Sequence, residues 1–151
     1  MKKGFLLNPK IEQTNKPARG WTKESNNPIK TVEKNILVGG VSLSNINRGI
    51  TQSCSLGYWI GEKFASQGYM TESVAVSAGI VFNILKLHRL EAACIPENTA
   101  SRKVLKKVGF TEEGYARKYL QINGEWKVKR MDLHFFWPER HIAEDFSTKF
   151  L

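Results

Sequence analysis

The sequence predicts a single α/β domain in which a mixed sheet is flanked by helices. Two short apolar segments, 36–43 and 53–60, flank a turn that contains Asn47-Arg48-Gly49, which indicates a β-hairpin. A long apolar stretch from about Met70 to Leu87 predicts a helix that is buried nearly all round. Further on, Asn123-Gly124 separates two more strand-like segments, and this dipeptide is the strongest short signal for a tight hairpin turn.

The first part of the chain differs from the rest. Residues 1–34 are polar, rich in Asn, Lys and Pro, and without a sustained period, so they predict a loose arm or short elements. The regular pattern begins with the strand at 36–43, in which Gly39-Gly40 suggests a bulge. We therefore divide the chain into an arm at 1–34, the α/β domain at 35–137 and a terminal extension at 138–151.

The elements after the long helix follow from local signals. A short apolar strand is predicted from Arg89 to Ile95. Asn98 is the predicted N-cap of a second helix that runs through Lys107 and ends at Gly109 in the C′ position. Two strands, Tyr115–Ile122 and Trp126–Trp137, then form the hairpin around the Asn-Gly turn.

The composition is that of one globular domain. With 151 residues, of which 41% are hydrophobic, the chain is long enough to bury a core without staples. Cys54 and Cys94 stand singly in apolar runs, which favours reduced core thiols over a disulfide or a metal site. No apolar run approaches the ~18 residues of a membrane span, and the apolar run near Met1 is too short for a signal peptide. These features predict a cytoplasmic protein without a membrane partner.

The stretch from Leu56 to Ser73 is the candidate binding site. An apolar strand, a polar turn with Gly68 and the start of the long helix would present unpaired backbone amides to a phosphate or pyrophosphate group. The absence of a side chain at Gly68 would let a phosphate approach the backbone closely. The chain has neither a Walker loop nor the three spaced glycines of a dinucleotide fingerprint. Taken alone, one glycine before a helix favours an ordinary strand-to-helix connection.

The chain is strongly basic. The 23 Lys and Arg residues against 14 Asp and Glu give a formal net charge of +9, which favours a nucleotide-like cofactor or RNA as a partner and is equally typical of a solvated basic surface. The basic residues form four clusters: Arg102-Lys103, Lys106-Lys107, Arg117-Lys118 and Lys127-Lys129-Arg130. The two clusters that follow Asn98 closely are interpreted as helping to hold a phosphorylated ligand.

Seven short motifs stand in a characteristic order and spacing: Leu56-Gly57-Tyr58-Trp59-Ile60-Gly61, Gln67-Gly68-Tyr69-Met70-Thr71-Glu72, His88-Arg89-Leu90-Glu91-Ala92, Pro96-Glu97-Asn98-Thr99-Ala100-Ser101, Lys107-Val108-Gly109-Phe110, Glu113-Gly114-Tyr115 and Asn123-Gly124-Glu125-Trp126. Together they resemble the GNAT superfamily of acetyl-CoA-dependent N-acetyltransferases, and within it the ribosomal-protein-alanine N-acetyltransferase group. The resemblance covers about residues 35–137 and implies the GNAT acyl-CoA N-acyltransferase fold.

The resemblance also implies how acetyl-CoA binds. Coenzyme A would lie in a cleft where two neighbouring strands splay apart, with its pyrophosphate on the turn Gln67, Gly68, Tyr69, Met70 and Thr71. The pantetheine arm would pair with the strand edge at Tyr58, Trp59 and Ile60. Asn98 matches the family asparagine that hydrogen-bonds the pantetheine arm, and Ser101 matches a serine near the thioester sulfur. On the residues alone, Asn98 is a helix cap and Ser101 an ordinary first-turn residue.

The implied reaction is direct attack of an amine on the thioester carbonyl. A backbone amide around Trp59-Ile60 would stabilise the oxyanion. A hydroxyl near the leaving thiolate, whose thiol has a pKa near ~8.5, would assist its departure, and Ser101 is the predicted catalytic residue. Many superfamily members use a tyrosine of the second helix, but the matching position here is Leu105.

The acceptor amine must be neutral to attack. An α-amine of pKa ~8 is about one-tenth neutral at pH 7, whereas a lysine at ~10.4 is far less so. Ala93 stands where some relatives carry a glutamate base, which leaves Glu62, Glu97, Glu113 or a water relay as candidates. We therefore expect transfer to the N-terminal α-amine of a protein, with a ribosomal protein as the leading acceptor.

Two departures from the family pattern affect these expectations. Family turns often begin with Arg or Gln where this chain has Ala65, and have Gly or Ala at the position of Met70. Residues 1–34 are also too short and polar to supply the usual N-terminal strand and two helices that wall the acceptor site. We therefore predict a shortened variant, or one that completes its fold by association.

Other functions remain open at this point. The enzyme alternative is a small-molecule N-acetyltransferase acting on a polyamine or an antibiotic. The alternative from another class is a non-catalytic GNAT-like module that holds an acyl-CoA or RNA. Contact of the basic surface with ribosomal RNA, and a monomer or homodimer, complete the expectations about partners.

Overall fold

The computed structural model describes residues 5–7, 25–31, 34–117, 121–122, 125–126 and 131–137. They form a mixed sheet against which two helices pack. In chain order the elements are β1 (Phe5–Leu7), β2 (Ser25–Thr31), β3 (Leu37–Asn47), β4 (Ser53–Ile60), a 3-10 turn (Glu62–Phe64), α1 (Tyr69–Gly79), a π-helical turn (Ile80–Ile84), β5 (Arg89–Cys94), α2 (Thr99–Val108), β6 (Thr111–Arg117), β7 (Gln121–Ile122), β8 (Glu125–Trp126) and β9 (Met131–Trp137).

Within the described residues, the main sheet has the strand order β1-β2-β3-β4-β5-β9-β6. Neighbouring strands are antiparallel except β4 and β5, which run parallel. Their pairing begins at Ser53 opposite Arg89 and ends at Leu56 opposite Ala92, although β4 continues to Ile60. The two central strands therefore separate beyond Leu56, and the mixed sheet with a gap at its centre confirms the predicted fold class.

The hairpin of β3 and β4 confirms the first sequence prediction, and β4 has the predicted bounds. The bulge predicted at Gly39-Gly40 is displaced, because both glycines pair in register with β4 and the irregularity lies at Val38, opposite β2. The reason for a glycine here is steric. A Cβ at Gly40 would lie 2.6 Å from Nε1 of Trp59, so this position makes room for the indole.

The long helix is central and buried, as its apolar composition predicts. Val74, Ala75 and Ala78 are fully inaccessible to solvent. The buried Ser77 hydroxyl donates to the carbonyl of Ser73, 2.8 Å away, so this polar group is satisfied inside the helix. The helix is shorter than the predicted span to Leu87, because it passes into the π-helical turn and Lys86 then adopts a left-handed backbone with φ 54°.

The expected absence of an N-terminal strand is wrong. β1 pairs with β2, and β2 pairs with β3, so both strands extend the main sheet. The expected absence of two N-terminal helices concerns residues 8–24, which lie outside the described residues. The division into an arm, a domain and an extension stays a prediction.

The C-terminal strands are arranged differently from the prediction. β6 begins at Thr111, earlier than expected, and pairs with β9 in the main sheet. β7 and β8 form a separate ribbon in which Ile122 pairs with Glu125. The turn predicted at Asn123-Gly124 lies outside the described residues. Residues 118–120 and 138–151 lie outside the described part of the chain.

The cysteines lie in the core as free thiols, as predicted. Burial raises the pKa of Cys54 to about 12, and the charge of Glu91 acts in the same direction. Such a thiol remains protonated and unreactive near neutral pH. Within the described residues no helix has the length and apolar character that a membrane span requires.

Candidate functional site

A cavity of about 680 Å³ lies where β4 and β5 separate, between the end of β4, the turn before α1 and the first turns of α2. Every residue predicted to contact coenzyme A lines it except Gln67 and Tyr69. The lining residues are Tyr58, Trp59, Ile60, Ala65, Ser66, Gly68, Met70, Thr71, Asn98, Thr99, Ala100, Ser101, Lys103, Val104 and Lys107. The topology thus brings together the strand edge, the turn and the second helix that the sequence singles out separately.

The N-terminus of α1 is open toward the cavity. Gly68 occupies the N-cap with a left-handed backbone, φ 90°, and no side chain caps this end. Within the described residues the N–H groups of Met70 and Thr71 donate to no protein acceptor. A Cβ added at Gly68 would meet nothing within 4 Å, and Gly68 lines the cavity together with Met70 and Thr71. Free amides at a helix N-terminus bind anions, because the helix dipole places partial positive charge there.

Two of the residues that were predicted to contact coenzyme A do not line the cavity. The Tyr69 side chain is 7% exposed and packs in the hydrophobic core. The Gln67 amide nitrogen donates to the carbonyl of Lys63 over 2.9 Å, on the solvent side of the turn. Met70, although it lines the cavity, is itself 6% exposed, so what it offers a ligand is chiefly its backbone amide.

The free edge of β4 presents specific backbone groups to the gap. Gly61 N donates to the carbonyl of Val38 in β3, 2.8 Å away. Because hydrogen-bonding direction alternates along an antiparallel strand, Trp59 also points its backbone toward β3, whereas Tyr58 and Ile60 point theirs into the gap. The predicted amide donor near Trp59-Ile60 is therefore Ile60. The indole of Trp59 is 57% exposed and provides a side-chain wall instead.

The N-terminus of α2 is closed by its own cap, as predicted. The Asn98 side-chain oxygen accepts from Ser101 N over 3.1 Å. This bond uses the oxygen of the amide and leaves its nitrogen to donate toward the cavity that Asn98 lines. At the other end of the helix, Gly109 has a left-handed backbone, φ 115°, in the predicted C-cap position.

A hydrogen bond between strand and helix was missed by sequence reasoning. Tyr58 Oη lies 2.6 Å from Ser101 Oγ and 3.3 Å from the carbonyl oxygen of Ser101. Burial raises the pKa of Tyr58 to about 12, with the Ser101 hydrogen bond opposing this shift in part. The prediction used only the backbone of Tyr58. The alternation of β4 was the available signal, because it places Tyr58 on the same face as the buried Leu56.

The basic residues of α2 fall into two groups with different contacts. Lys103 and Lys107, one helical turn apart, line the cavity, which fits their predicted place near a phosphorylated ligand. Arg102 and Lys106 instead form ion pairs with Glu112, at 3.6 and 3.3 Å. Two lysines therefore line the cavity, whereas the two adjacent cations share the single carboxylate of Glu112.

The three carboxylates proposed as bases do not line this cavity. Glu113 accepts from Arg89, which also donates to Glu91 over 2.5 Å. Burial alone would lower the pKa of Arg89, but the hydrogen bonds that Arg89 donates to Glu113 and Glu91 raise it. Leu105, which matches the position of the family tyrosine, is fully buried in the core and does not line the cavity.

Comparison with known proteins identifies the class. Residues 6–111 match the family model described as "Acetyltransferase (GNAT) domain". This match covers most of the chain, which therefore belongs to the GNAT acetyltransferase family. The family uses acetyl-CoA, and the cavity with its open helix N-terminus fits a ligand that carries phosphate groups.

Curated N-acetyltransferases are similar to part of this chain. The chain is 43% identical over 99 residues to "Probable N-acetyltransferase YjcK" of Bacillus subtilis, which covers 66% of this chain and 55% of that protein. It is 38% identical over 91 residues to "[Ribosomal protein uS5]-alanine N-acetyltransferase" of Escherichia coli, which covers 60% of this chain and 47% of that protein. The chain thus spans about half the length of the curated relatives it matches.

Solved structures share the fold. The ribosomal-protein-S5-alanine acetyltransferase of Vibrio fischeri has a TM-score of 0.71 at 32% identity, covering 78% of this chain and 63% of that one. Mycobacterium smegmatis RimJ, solved in complex with CoA-disulfide, has a TM-score of 0.69 at 32% identity, covering 79% and 56%. A spermidine N-acetyltransferase SpeG chimera from Vibrio cholerae and hSSAT, at 22% identity and a TM-score of 0.67 over 77% and 67%, shares the fold alone.

Proposed function

We propose that this site transfers an acetyl group from acetyl-CoA to the N-terminal α-amine of a protein. The observation that carries the proposal is the meeting of three features in one cavity. These are the free edge of β4, the open N-terminus of α1 and the Tyr58–Ser101 pair. Each feature is suited to a different part of an acyl-CoA, and the family membership supports this cofactor.

The chain offers matching groups for each part of the cofactor. The amides of Met70 and Thr71 would hold the pyrophosphate, because both residues line the cavity and no described protein group accepts from these amides. Lys103 and Lys107 would add positive charge to the same cavity. The pyrophosphate is therefore proposed to bind at the predicted turn, but Gln67 and the side chain of Tyr69 are no longer among its proposed contacts.

The strand edge and the second helix would hold the rest of the cofactor. The backbone groups of Tyr58 and Ile60 would pair with the amide groups of the pantetheine arm, as a neighbouring strand would. The side-chain nitrogen of Asn98 would donate to the same arm. The bound acetyl-CoA supplies an activated acyl group whose leaving group is a thiolate.

The catalytic roles would fall to two donors. The Ile60 N–H is aimed into the gap, so it would stabilise negative charge as it develops on the carbonyl oxygen. The Ser101 hydroxyl lines the same cavity and would donate to the leaving sulfur. We keep Ser101 as the proposed catalytic residue, as the sequence predicts.

The absence of a carboxylate from the described lining favours an acceptor that needs little help from a base. An α-amine meets this condition, because its pKa of ~8 leaves about one-tenth neutral at pH 7. The name of the Escherichia coli relative, an alanine N-acetyltransferase of ribosomal protein uS5, supports the same acceptor class. A ribosomal protein is therefore the proposed acceptor, and the basic surface is the proposed contact for ribosomal RNA.

The test is thiol release from acetyl-CoA in the presence of defined amines. A peptide that begins with Ala is expected to be turned over, whereas the same peptide with a blocked N-terminus and an internal lysine is not. Spermidine serves as the small-molecule acceptor. Preference for spermidine over the Ala-starting peptide would contradict the acceptor assignment, and binding of coenzyme A without turnover of any amine would contradict catalysis.

A further inference from the structure

The side chain of Tyr58 reaches from β4 across the cavity to α2. Its hydroxyl meets two oxygens of Ser101, Oγ at 2.6 Å and the carbonyl at 3.3 Å. Both residues line the cavity, so the pair is accessible to a bound ligand. The shorter of the two contacts is between hydroxyls, and its direction decides which way the hydrogen of Ser101 points.

The pair has two hydrogen-bonding arrangements. When the phenol donates to Ser101 Oγ, the serine hydrogen must point elsewhere, and the cavity is the open direction. When Ser101 donates to the phenol, the phenol hydrogen turns to the serine carbonyl and the pair has no hydrogen for a ligand. Burial holds the pKa of Tyr58 at about 12, so the phenol keeps its hydrogen throughout the neutral range.

We propose that Tyr58 is a positioning residue that directs the Ser101 hydroxyl hydrogen toward the leaving sulfur. This inference rests on the proposed function, because it assigns a role within that same site. A sulfur atom near Ser101 that gains negative charge selects the first arrangement, since only that arrangement offers it a donor.

The role requires no proton transfer through the phenol. As the carbon–sulfur bond breaks, its electron pair goes to sulfur, and the Ser101 O–H donates a hydrogen bond to the thiolate. The attacking nitrogen forms the new carbon–nitrogen bond and releases its proton to water, and the free thiolate takes a proton from water. Tyr58 stays protonated throughout and acts only through Ser101.

A purely structural bond between β4 and α2 is the competing explanation. Both explanations allow Tyr58→Phe, which removes one oxygen and keeps the ring, to lower the midpoint of thermal unfolding. They differ in kinetics, because a positioning role acts through Ser101 and a structural role does not. A double-mutant cycle with Ser101→Ala separates the two.

The experiment compares steady-state acetyl transfer to an Ala-starting peptide by the full chain and its variants. Tyr58→Phe is expected to lower kcat about five- to tenfold, as the loss of one hydrogen bond made in the transition state would, and to leave the dissociation constant of coenzyme A unchanged. The double variant is expected to match Ser101→Ala. Tyr115→Phe is the control, because Tyr115 is 54% exposed and does not line the cavity.

An unchanged kcat in Tyr58→Phe would overturn the positioning role. A double variant whose loss of kcat equals the product of the losses in the two single variants would also overturn it. If Tyr58→Phe does not fold, 3-fluorotyrosine at position 58 replaces it. Its more acidic phenol is a stronger donor to Ser101, so kcat at neutral pH is expected to equal or exceed that of the wild type, and a lower kcat would overturn the role. A wild-type chain that acetylates no amine would instead defeat the proposed function itself.

Discussion

The two helix N-termini that face the cavity differ in their capping. At α2 the Asn98 side chain accepts from Ser101 N over 3.1 Å, so the protein itself satisfies an end amide. At α1 the N-cap is Gly68, no side chain caps the end, and the amides of Met70 and Thr71 have no acceptor within the described residues. One end is complete without a ligand and the other is not.

This difference shows how one fold separates stability from binding. A capped end contributes to folding and holds Ser101 in a defined place. An end with glycine at the N-cap gives up roughly a few tenths of a kcal/mol relative to a capping side chain, and it keeps its amides for an anion. The account therefore predicts that Gly68→Ala weakens coenzyme A binding beyond any effect of its backbone strain, whereas Asn98→Ala lowers the free energy of unfolding because it removes the cap.

The largest effect is expected for Gly68→Ala. The new methyl group meets no protein atom, and Gly68 lines the cavity beside the open amides, so we expect the methyl group to crowd the proposed phosphate position. Loss of one hydrogen bond to a charged group, worth about 1.5–3 kcal/mol, would weaken coenzyme A binding about tenfold or more. Isothermal titration calorimetry of the variant and the wild type measures this change.

Gly109→Ala is the matched control. Both glycines are left-handed, with φ 90° and 115°, so each substitution is expected to cost about 1–2 kcal/mol of unfolding free energy. Gly109 does not line the cavity, so its variant should bind coenzyme A as the wild type does. Equal affinity losses in the two variants would show that backbone strain, and not the phosphate position, sets the effect at Gly68.

A smaller effect is expected for Asn98→Ala. Removal of the cap should lower the free energy of unfolding by about 1 kcal/mol, measured by urea denaturation. Asn98→Ser retains a capping oxygen and should recover most of this loss. If the side-chain nitrogen of Asn98 also donates to the cofactor, neither variant recovers coenzyme A affinity, and full recovery in Asn98→Ser would reduce Asn98 to a cap.

Local signals explain which parts of the fold were predictable. Asn98 and Gly109 bound α2 through interactions within a few residues, and β4 alternates in a way that its neighbours reinforce. β2 offers no such signal, because the segment Ser25–Thr31 is polar and contains Pro28. Its strand conformation comes from pairing with β1 and β3, which a local pattern does not encode.

The same distinction between local and long-range signals applies to the candidate site. The open turn at Gly68 was predictable because a strand, a glycine and a helix follow one another along the chain. The contact between Tyr58 and Ser101 joins residues 43 positions apart and depends on how α2 packs over the end of β4. Likewise, nothing in adjacent lysines tells which of them faces the cavity, and the structure assigns Lys103 there and Lys106 to Glu112.

The most direct test of the open end of α1 is an NMR titration of the wild-type chain that follows backbone amide protons. Coenzyme A is expected to shift the Met70 and Thr71 amide protons downfield, because both gain a phosphate acceptor. Pantetheine, which lacks the pyrophosphate, should leave these two signals in place, and the Ser101 amide, already bonded to Asn98, should move little. Binding of coenzyme A that leaves Met70 and Thr71 unmoved, or no binding at all, would contradict the account.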